Sequence, residues 1–139
     1  LIFKDALLRL HEKMLQANWL KSKVLAIGWL MLMCILFVLP GSALPEQNWF
    51  ADVQLDKWVH IGLFSVLIFL WASAFNLGLP GNAWVVIIAA ILYGLLVEFV
   101  QKTFIPNRSF DLYDVMADAI GSIAGLIVWL RVYKKNKPL

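Results

Sequence analysis

Long apolar runs divide the chain, and their lengths predict membrane-spanning helices. Residues 24–45 contain no Asp, Glu, Lys or Arg, and neither do residues 58–97. The second run is about twice the roughly 20 residues that one spanning helix needs, and the segment 76–82 near its middle carries Gly and Pro turn signals. A further apolar stretch, residues 115–130, is interrupted only by Asp118. The pattern predicts four short transmembrane helices, over residues 23–40, 57–75, 82–101 and 112–132.

The first 20 residues follow a different pattern. Apolar residues recur there at helical spacing between charged ones, which is typical of an amphipathic helix. A helix with a basic face and an apolar face suits the membrane interface, although a helix packed on a partner protein has the same pattern. We therefore expect an all-α polytopic membrane protein, with residues 1–139 forming a single transmembrane domain and residues 1–20 forming an interfacial helix.

Composition supports a membrane protein and excludes some other classes. Of the 139 residues, 62% are hydrophobic and 15% are charged, which is too apolar for an ordinary soluble domain. The single cysteine, Cys34, lies within the first predicted helix and has no partner for an internal disulfide. No stacking platform or nucleic-acid-binding motif accompanies the basic residues, so we expect no nucleic-acid partner.

The distribution of charge predicts how the chain is oriented. The residues before position 24 and after position 130 hold nine of the twelve Lys and Arg residues and only two acids. By the positive-inside rule, both termini are then cytoplasmic, as an even number of spans requires. A rival interpretation makes the first helix a cleaved signal peptide, followed by the small residues Gly41, Ser42 and Ala43. Cleavage would leave three spans.

Pairs of polar residues lie where three predicted helices begin or end. Members of a pair are three or four residues apart and therefore share one helix face. Alternating helix direction brings all three helix ends to the same side of the membrane, which the charge distribution makes the outer side. Ionisable groups at membrane depth are costly unless they are paired or line a polar cavity. The pairs are Asp56 and His60, Glu98 and Gln101, and Asp114 and Asp118.

The outward-facing pocket that these pairs predict has the residue types of an acid–base site. His60 is a candidate proton carrier or nucleophile, and Glu98 or Asp114 is a candidate group to orient it. Asp118 completes the candidate catalytic set. In a variant of this hypothesis, these four side chains bind a divalent cation that recruits phosphate, although their spacing matches no recognised metal motif.

Three further polar residues are candidates for binding a substrate. Pro106 and Asn107 form a turn signal that would carry Arg108 over the mouth of the pocket. Arg108 and Lys102 have the positive charge that an anionic group requires, and Gln101 faces the same pocket. The expected ligands are membrane lipids or a lipid-linked precursor of the cell envelope.

Structural explanations compete with these functional ones. Asp111 has the sequence position of a helix N-cap, and Asp56 with Lys57 has the character of an interfacial ion pair. The pocket as a whole could be a lock in which Arg108 pairs with Glu98 or Asp118. The protein would then be a non-enzymatic membrane subunit or scaffold with a membrane-protein partner. Whether the chain is an enzyme stays open at this point.

Taken together, these motifs resemble those of the VanZ-like family of small bacterial membrane proteins. The resemblance implies a multi-pass protein of the bacterial cytoplasmic membrane. The family name comes from glycopeptide antibiotic resistance and implies no settled biochemical activity. Asp118 stands at a position where the family usually carries Asn. The matching motifs are Asp56-Lys57-x-x-His60 followed by Phe64, Glu98-x-x-Gln101 after Gly94, and Arg108-x5-Asp114-x3-Asp118-x-x-Gly121.

Overall fold

The computed structural model describes residues 22–40, 54–75 and 81–134, together with a few single positions that include Asp5 and Arg9. The described residues contain four α-helices and no β-strand, which confirms the predicted all-α membrane fold. The predicted amphipathic helix of residues 1–20 lies outside the described residues, except that Asp5 and Arg9 are both helical. The helices are α1 (Lys23–Phe37), α2 (Leu55–Phe75), α3 (Gly81–Phe104) and α4 (Leu112–Lys134).

Three of these helices are long and apolar enough to cross a membrane, over Leu55–Phe75, Asn82–Phe104 and Leu112–Val132. Helix α1 is also apolar but has only 15 residues, or about 22 Å at the usual helical rise. That length falls short of the roughly 30 Å hydrocarbon core of a bilayer. The first predicted span, residues 23–40, is therefore shorter in the structure. Pro40 explains the early end, because proline disfavours helical geometry at the residue before it.

The distribution of side chains is the reverse of that in a soluble protein. Large apolar side chains such as Val24, Trp84 and Phe104 are more than two-thirds exposed on the outside of the helices. Apolar surface of this kind is stable against lipid rather than water. The buried polar side chains among the described residues are His60, Ser73, Glu98, Gln101, Asp114, Asp118 and Ser122.

Helices α2 and α4 form the most extensive contact in the bundle, and two glycines allow it. A Cβ atom added at Gly121 would collide with the backbone carbonyl of Ile61, and one added at Gly125 would collide with that of Ser65. The two helix backbones can approach this closely only because small residues recur four positions apart, as at many membrane helix interfaces. The approach places the start of α4 directly against the start of α2.

Helix α1 runs antiparallel to α2 and completes the bundle. The Lys23 ammonium lies 5.4 Å from the ring centroid of Phe75 at one end, and the ring centroids of Phe37 and His60 are 4.9 Å apart at the other. Between them, Trp29 Nε1 donates a hydrogen bond of 3.1 Å to the carbonyl of Leu63. The C-terminal end of α1 therefore lies on the side where α2 and α4 begin.

Candidate functional site

The predicted convergence of three helix ends is confirmed. The beginning of α2, the end of α3 and the beginning of α4 meet through direct side-chain contacts. We call this group the polar cluster, and four of its residues are at most 7% exposed: His60, Glu98, Asp114 and Asp118. The complete polar cluster consists of Lys57, His60, Glu98, Asp111, Asp114 and Asp118.

His60 and Asp118 form the central contact of the polar cluster. His60 Nδ1 lies 2.8 Å from Asp118 Oδ1. When Asp118 is ionised it only accepts hydrogen bonds, and the proton of this bond then lies on Nδ1. Close packing fixes the partner as well, because a side chain at Gly94 would collide with the other carboxylate oxygen of Asp118. The contact therefore orients the imidazole and leaves Nε2 as its reactive nitrogen.

The Nε2 atom of His60 faces acidic groups without bonding to them. Asp114 Oδ2 is 4.0 Å from Nε2, too far for a hydrogen bond. One ring nitrogen of His60, one oxygen of Glu98 and one oxygen of Asp114 all lie within 4.8 Å of one another. Three groups capable of accepting a proton or binding a cation thus surround one small volume.

Glu98 is fully buried, with a side chain that is 0% exposed. Its Oε2 accepts a hydrogen bond of 2.8 Å from the backbone N–H of Asp111. Within the described part of the chain, its Oε1 has no hydrogen-bond partner. Glu98 therefore ties α3 to the beginning of α4 through one oxygen and keeps the other available.

Lys57 forms ion pairs with the acids on the outer side of the polar cluster. Its ammonium lies 2.8 Å from Asp111 Oδ2, 2.8 Å from Asp114 Oδ1 and 3.1 Å from Asp56 Oδ2. The predicted pair with Asp56 is confirmed, but the contacts across to α4 were not predicted. The sequence does contain one indication of these contacts: Lys57 lies three residues before His60 and therefore shares its helix face.

Asp111 has the predicted N-cap role and an additional contact. Its Oδ1 accepts a hydrogen bond of 2.8 Å from the backbone N–H of Tyr113, in the first turn of α4. Its Oδ2 accepts from Lys57, and that hydrogen bond lowers the pKa of the Asp111 carboxyl below its ordinary value. Asp111 thus stays ionised while it holds Lys57 and the helix end together.

Arg108 lies in the loop between α3 and α4. The predicted turn is confirmed at Pro106 and Asn107, where Asn107 adopts a φ of 60°, a left-handed conformation that Asn tolerates better than most residues. Arg108 is partly buried, and its Nε has no hydrogen-bond partner in the described region. Among the described residues, the alternative lock between Arg108 and Glu98 or Asp118 is not formed.

The other two candidate binding residues lie in different surroundings. Gln101 is buried, and its side-chain amide donates a hydrogen bond of 3.0 Å to the carbonyl oxygen of Phe37. That carbonyl belongs to the last turn of α1, where backbone acceptors lack helical partners. Lys102 is exposed in the last turn of α3. The structure thus joins Gln101 to α1 and leaves Lys102 at the surface.

Two groups of side chains within the described residues have the spacing to hold a metal ion. The first is formed by His60, Glu98 and Asp114, which are all buried. The second is formed by Asp56, Asp111 and Asp114, but all three of these carboxylates already contact the ammonium of Lys57. The first group therefore fits a cation better than the second.

Comparison with known proteins identifies the family. No solved structure gives a significant match to the chain. A protein of the fission yeast Schizosaccharomyces pombe, named only as uncharacterized, is 28% identical over 118 residues, which cover 84% of this chain and 68% of the relative. The sequence model of the VanZ/LLP1 family matches residues 16–133. That match covers the polar cluster and all four helices, except for the last residue of α4. The chain therefore belongs to the VanZ/LLP1 family.

Proposed function

We propose that the protein binds the anionic headgroup of a membrane lipid or of a lipid-linked cell-envelope precursor at the mouth of the polar cluster. Arg108 carries the proposal. Its guanidinium is partly buried beside the start of α4, and the described acids of the cluster leave it without an ion pair. A guanidinium suits phosphate because its parallel N–H groups bind two oxygens at once. Lys102 adds a second positive charge at the end of α3.

In this proposal His60 serves the bound headgroup as a proton carrier. Asp118 holds its Nδ1, and Nε2 lies 4.0 Å from Asp114 Oδ2, in the group that also includes Glu98. A positioned imidazole with one nitrogen held by a carboxylate is the usual arrangement for general acid–base catalysis. Transfer or hydrolysis at a phosphate ester of the headgroup is the class of reaction that this arrangement favours.

The location that we propose follows from the charge distribution. In this proposal the polar cluster faces the extracytoplasmic boundary of a bacterial cytoplasmic membrane, because the basic residues concentrate near both termini, which the positive-inside rule puts in the cytoplasm. Headgroup phosphates lie at that depth. Because a relative occurs in a yeast, a phosphodiester shared by bacterial and yeast lipids is a better ligand candidate than a precursor found only in bacteria. A role in glycopeptide resistance would be one consequence of acting on such lipids.

A non-enzymatic subunit or scaffold is the second candidate function. Lys57 favours it, because its bonds to Asp111 and Asp114 join α2 to α4 as a purely structural lock would. In that case the polar cluster holds the helices together, and a partner protein binds elsewhere. Substitutions in the polar cluster whose only effect is to unfold the bundle would support this candidate.

Binding can be tested by native mass spectrometry of the full chain in phosphatidylcholine nanodiscs that contain phosphatidylglycerol. Loss of one charged hydrogen-bonded contact corresponds to about 1.5–3 kcal/mol, so we expect Arg108→Gln to lower phosphatidylglycerol retention about tenfold or more. Arg131→Gln, at the exposed far end of α4, is the matched control. Equal retention by the wild type and Arg108→Gln, or equal losses in the two variants, would rule out headgroup binding at Arg108.

A further inference from the structure

We propose that His60, Glu98 and Asp114 bind a divalent transition-metal ion of the Zn²⁺ or Mn²⁺ class, and that Asp118 is the positioning residue that orients His60 for it. The ion would lie in the volume between the beginning of α2, the end of α3 and the beginning of α4. The three side chains are contributed by three different helices, so the ion would also join them. The site itself does not depend on headgroup binding, and an ion bound to Nε2 would replace the proton-carrying role proposed for His60, because the same lone pair cannot serve both.

The distances between the three side chains suit a shared ion. All three potential ligand atoms lie within 4.8 Å of one another, and His60 Nε2 is 4.0 Å from Asp114 Oδ2. Bonds to Zn²⁺ from nitrogen or oxygen are about 2.1 Å long, so two ligands of one ion lie at most about 4.2 Å apart. A side-chain rotation that moves a ligand atom by roughly half an ångström brings the three ligand atoms within that limit.

The contact between Asp118 and His60 prepares the imidazole for a metal. Metal-binding histidines almost always donate their second ring N–H to a carboxylate, a carbonyl or water, which fixes the tautomer and the ring orientation. Here Nδ1 is 2.8 Å from Asp118 Oδ1, which leaves Nε2, 4.0 Å from Asp114 Oδ2, as the nitrogen for an ion. Asp118 is itself held against Gly94, which limits its freedom to turn away.

Glu98 supplies an independent observation that points to a ligand. Its side chain is 0% exposed, and its Oε1 has no hydrogen-bond partner in the described region. A buried carboxylate with an unpaired oxygen is costly, and this one belongs to the group whose ligand atoms converge with those of His60 and Asp114. A bound cation would offset that cost directly.

Lys57 pairs with the outer acids of the polar cluster and leaves the inner ones for a metal ion. It takes Asp114 Oδ1, at 2.8 Å, and leaves Asp114 Oδ2 facing His60. Lys57 also contacts Asp56 and Asp111, so its single positive charge is shared among the three outer carboxylates. Among the described residues, the ammonium of Lys57 makes no ion pair with the inner acids Glu98 and Asp118, so these two remain for the imidazole and for a bound cation.

The ligand types select the class of ion. Ca²⁺ and Mg²⁺ prefer oxygen ligands alone, whereas imidazole suits Zn²⁺ and other first-row transition metals. One imidazole and two carboxylates provide three protein ligands, which leaves a position for water or for a phosphate oxygen. Use of that position by a headgroup rests on the function proposed above.

Metal binding can be measured on the full chain in detergent. The protein is stripped with EDTA, incubated with Zn²⁺ or Mn²⁺, desalted and analysed by inductively coupled plasma mass spectrometry. We expect about one ion per chain, and an affinity lowered by 10–100-fold in Asp118→Asn, the range typical for loss of such a supporting carboxylate. Glu98→Gln should lose the ion. Asp56→Asn, which removes a carboxylate of the outer group, should retain it.

A wild-type chain without stoichiometric metal would overturn the inference, and so would a Glu98→Gln variant that retains the ion as the wild type does. Circular dichroism checks that each variant is folded. If Glu98→Gln is not folded, the absorption spectrum of Co²⁺ bound to the wild type decides, because a hexa-aqua spectrum contradicts a mixed nitrogen and oxygen site. Phosphatidylglycerol retention, measured beside the metal content after reloading, separates the two proposals. A chain that retains the lipid but takes up no ion keeps headgroup binding alone, and a chain that takes up the ion without retaining the lipid keeps only the metal site.

Discussion

His60 and Asp118 bind each other across the α2–α4 interface, with Nδ1 and Oδ1 2.8 Å apart and both side chains buried. The contact exists because Gly121, one turn after Asp118 on α4, packs directly on the backbone of Ile61, the residue after His60. A close helix approach thus produces a short polar contact. Packing and the chemistry of the site therefore depend on the same few residues.

Two substitutions measure how much Asp118 contributes to the free energy of unfolding and whether its hydrogen bond or its charge is the cause. Asp118→Ala removes the acceptor for His60 Nδ1, and we expect it to lower the free energy of unfolding by about 1.5–3 kcal/mol. Asp118→Asn keeps an oxygen acceptor and should cost less. Denaturation in mixed detergent micelles, followed by circular dichroism, measures both. Equal losses would mean that the negative charge, not the hydrogen bond, is the stabilising feature.

The glycine contacts predict opposite effects of one substitution at two positions. Gly121→Ala places a methyl group against the backbone of Ile61, which cannot move away as a side chain would, and should cost about 1–3 kcal/mol. Gly62→Ala meets nothing within 4 Å and should instead stabilise α2 by roughly 0.5–1 kcal/mol, because alanine is the better helix former. Thermal unfolding of the two variants in the same detergent tests the pair. Similar shifts would contradict close packing at Gly121.

Lys57 should be energetically coupled to the acids of α4. Lys57→Met leaves Asp111 and Asp114 without their shared cation, and loss of one member of a buried charged group typically costs about 3–5 kcal/mol. Because Lys57 is partly exposed, with 18% of its side chain accessible, we expect a value at the lower end. Addition of Asp114→Asn to Lys57→Met should recover part of the loss. Additive effects in this double-mutant cycle would show that the bonds contribute little.

Much of the fold was predictable because apolar runs and their interruptions have local causes. The predicted helices of residues 57–75, 82–101 and 112–132 correspond to α2, α3 and α4, whose ends differ by at most three residues from those predictions. Asp111, as N-cap, marks the start of α4. The end of α1 was predicted too late, because the apolar run continues past the residue at which Pro40 stops the helix.

The site was predictable only as a location. Spacing along each helix showed which polar residues share a face, and helix direction showed which ends meet. Pairing depends on how far each helix is rotated about its own axis, and that rotation is set by tertiary contacts such as Gly121 on Ile61. Lys57 therefore could not be assigned to Asp111 and Asp114 from spacing alone.

Gln101 should control the attachment of α1 to the bundle. Its amide caps the carbonyl of Phe37, and an unpaired buried carbonyl costs about 1–3 kcal/mol, so Gln101→Leu should raise the population of chains with a detached α1 about tenfold. Cys34 reports this state, because it is the single cysteine of the chain and contacts Tyr93 of α3 at 3.4 Å. Its rate of labelling by a maleimide should rise in Gln101→Leu and stay unchanged in Thr103→Leu, an exposed position on the same helix. An unchanged rate in Gln101→Leu, with the fold intact, would show that the apolar contacts of α1 suffice to hold it, and would leave Gln101 available for a ligand.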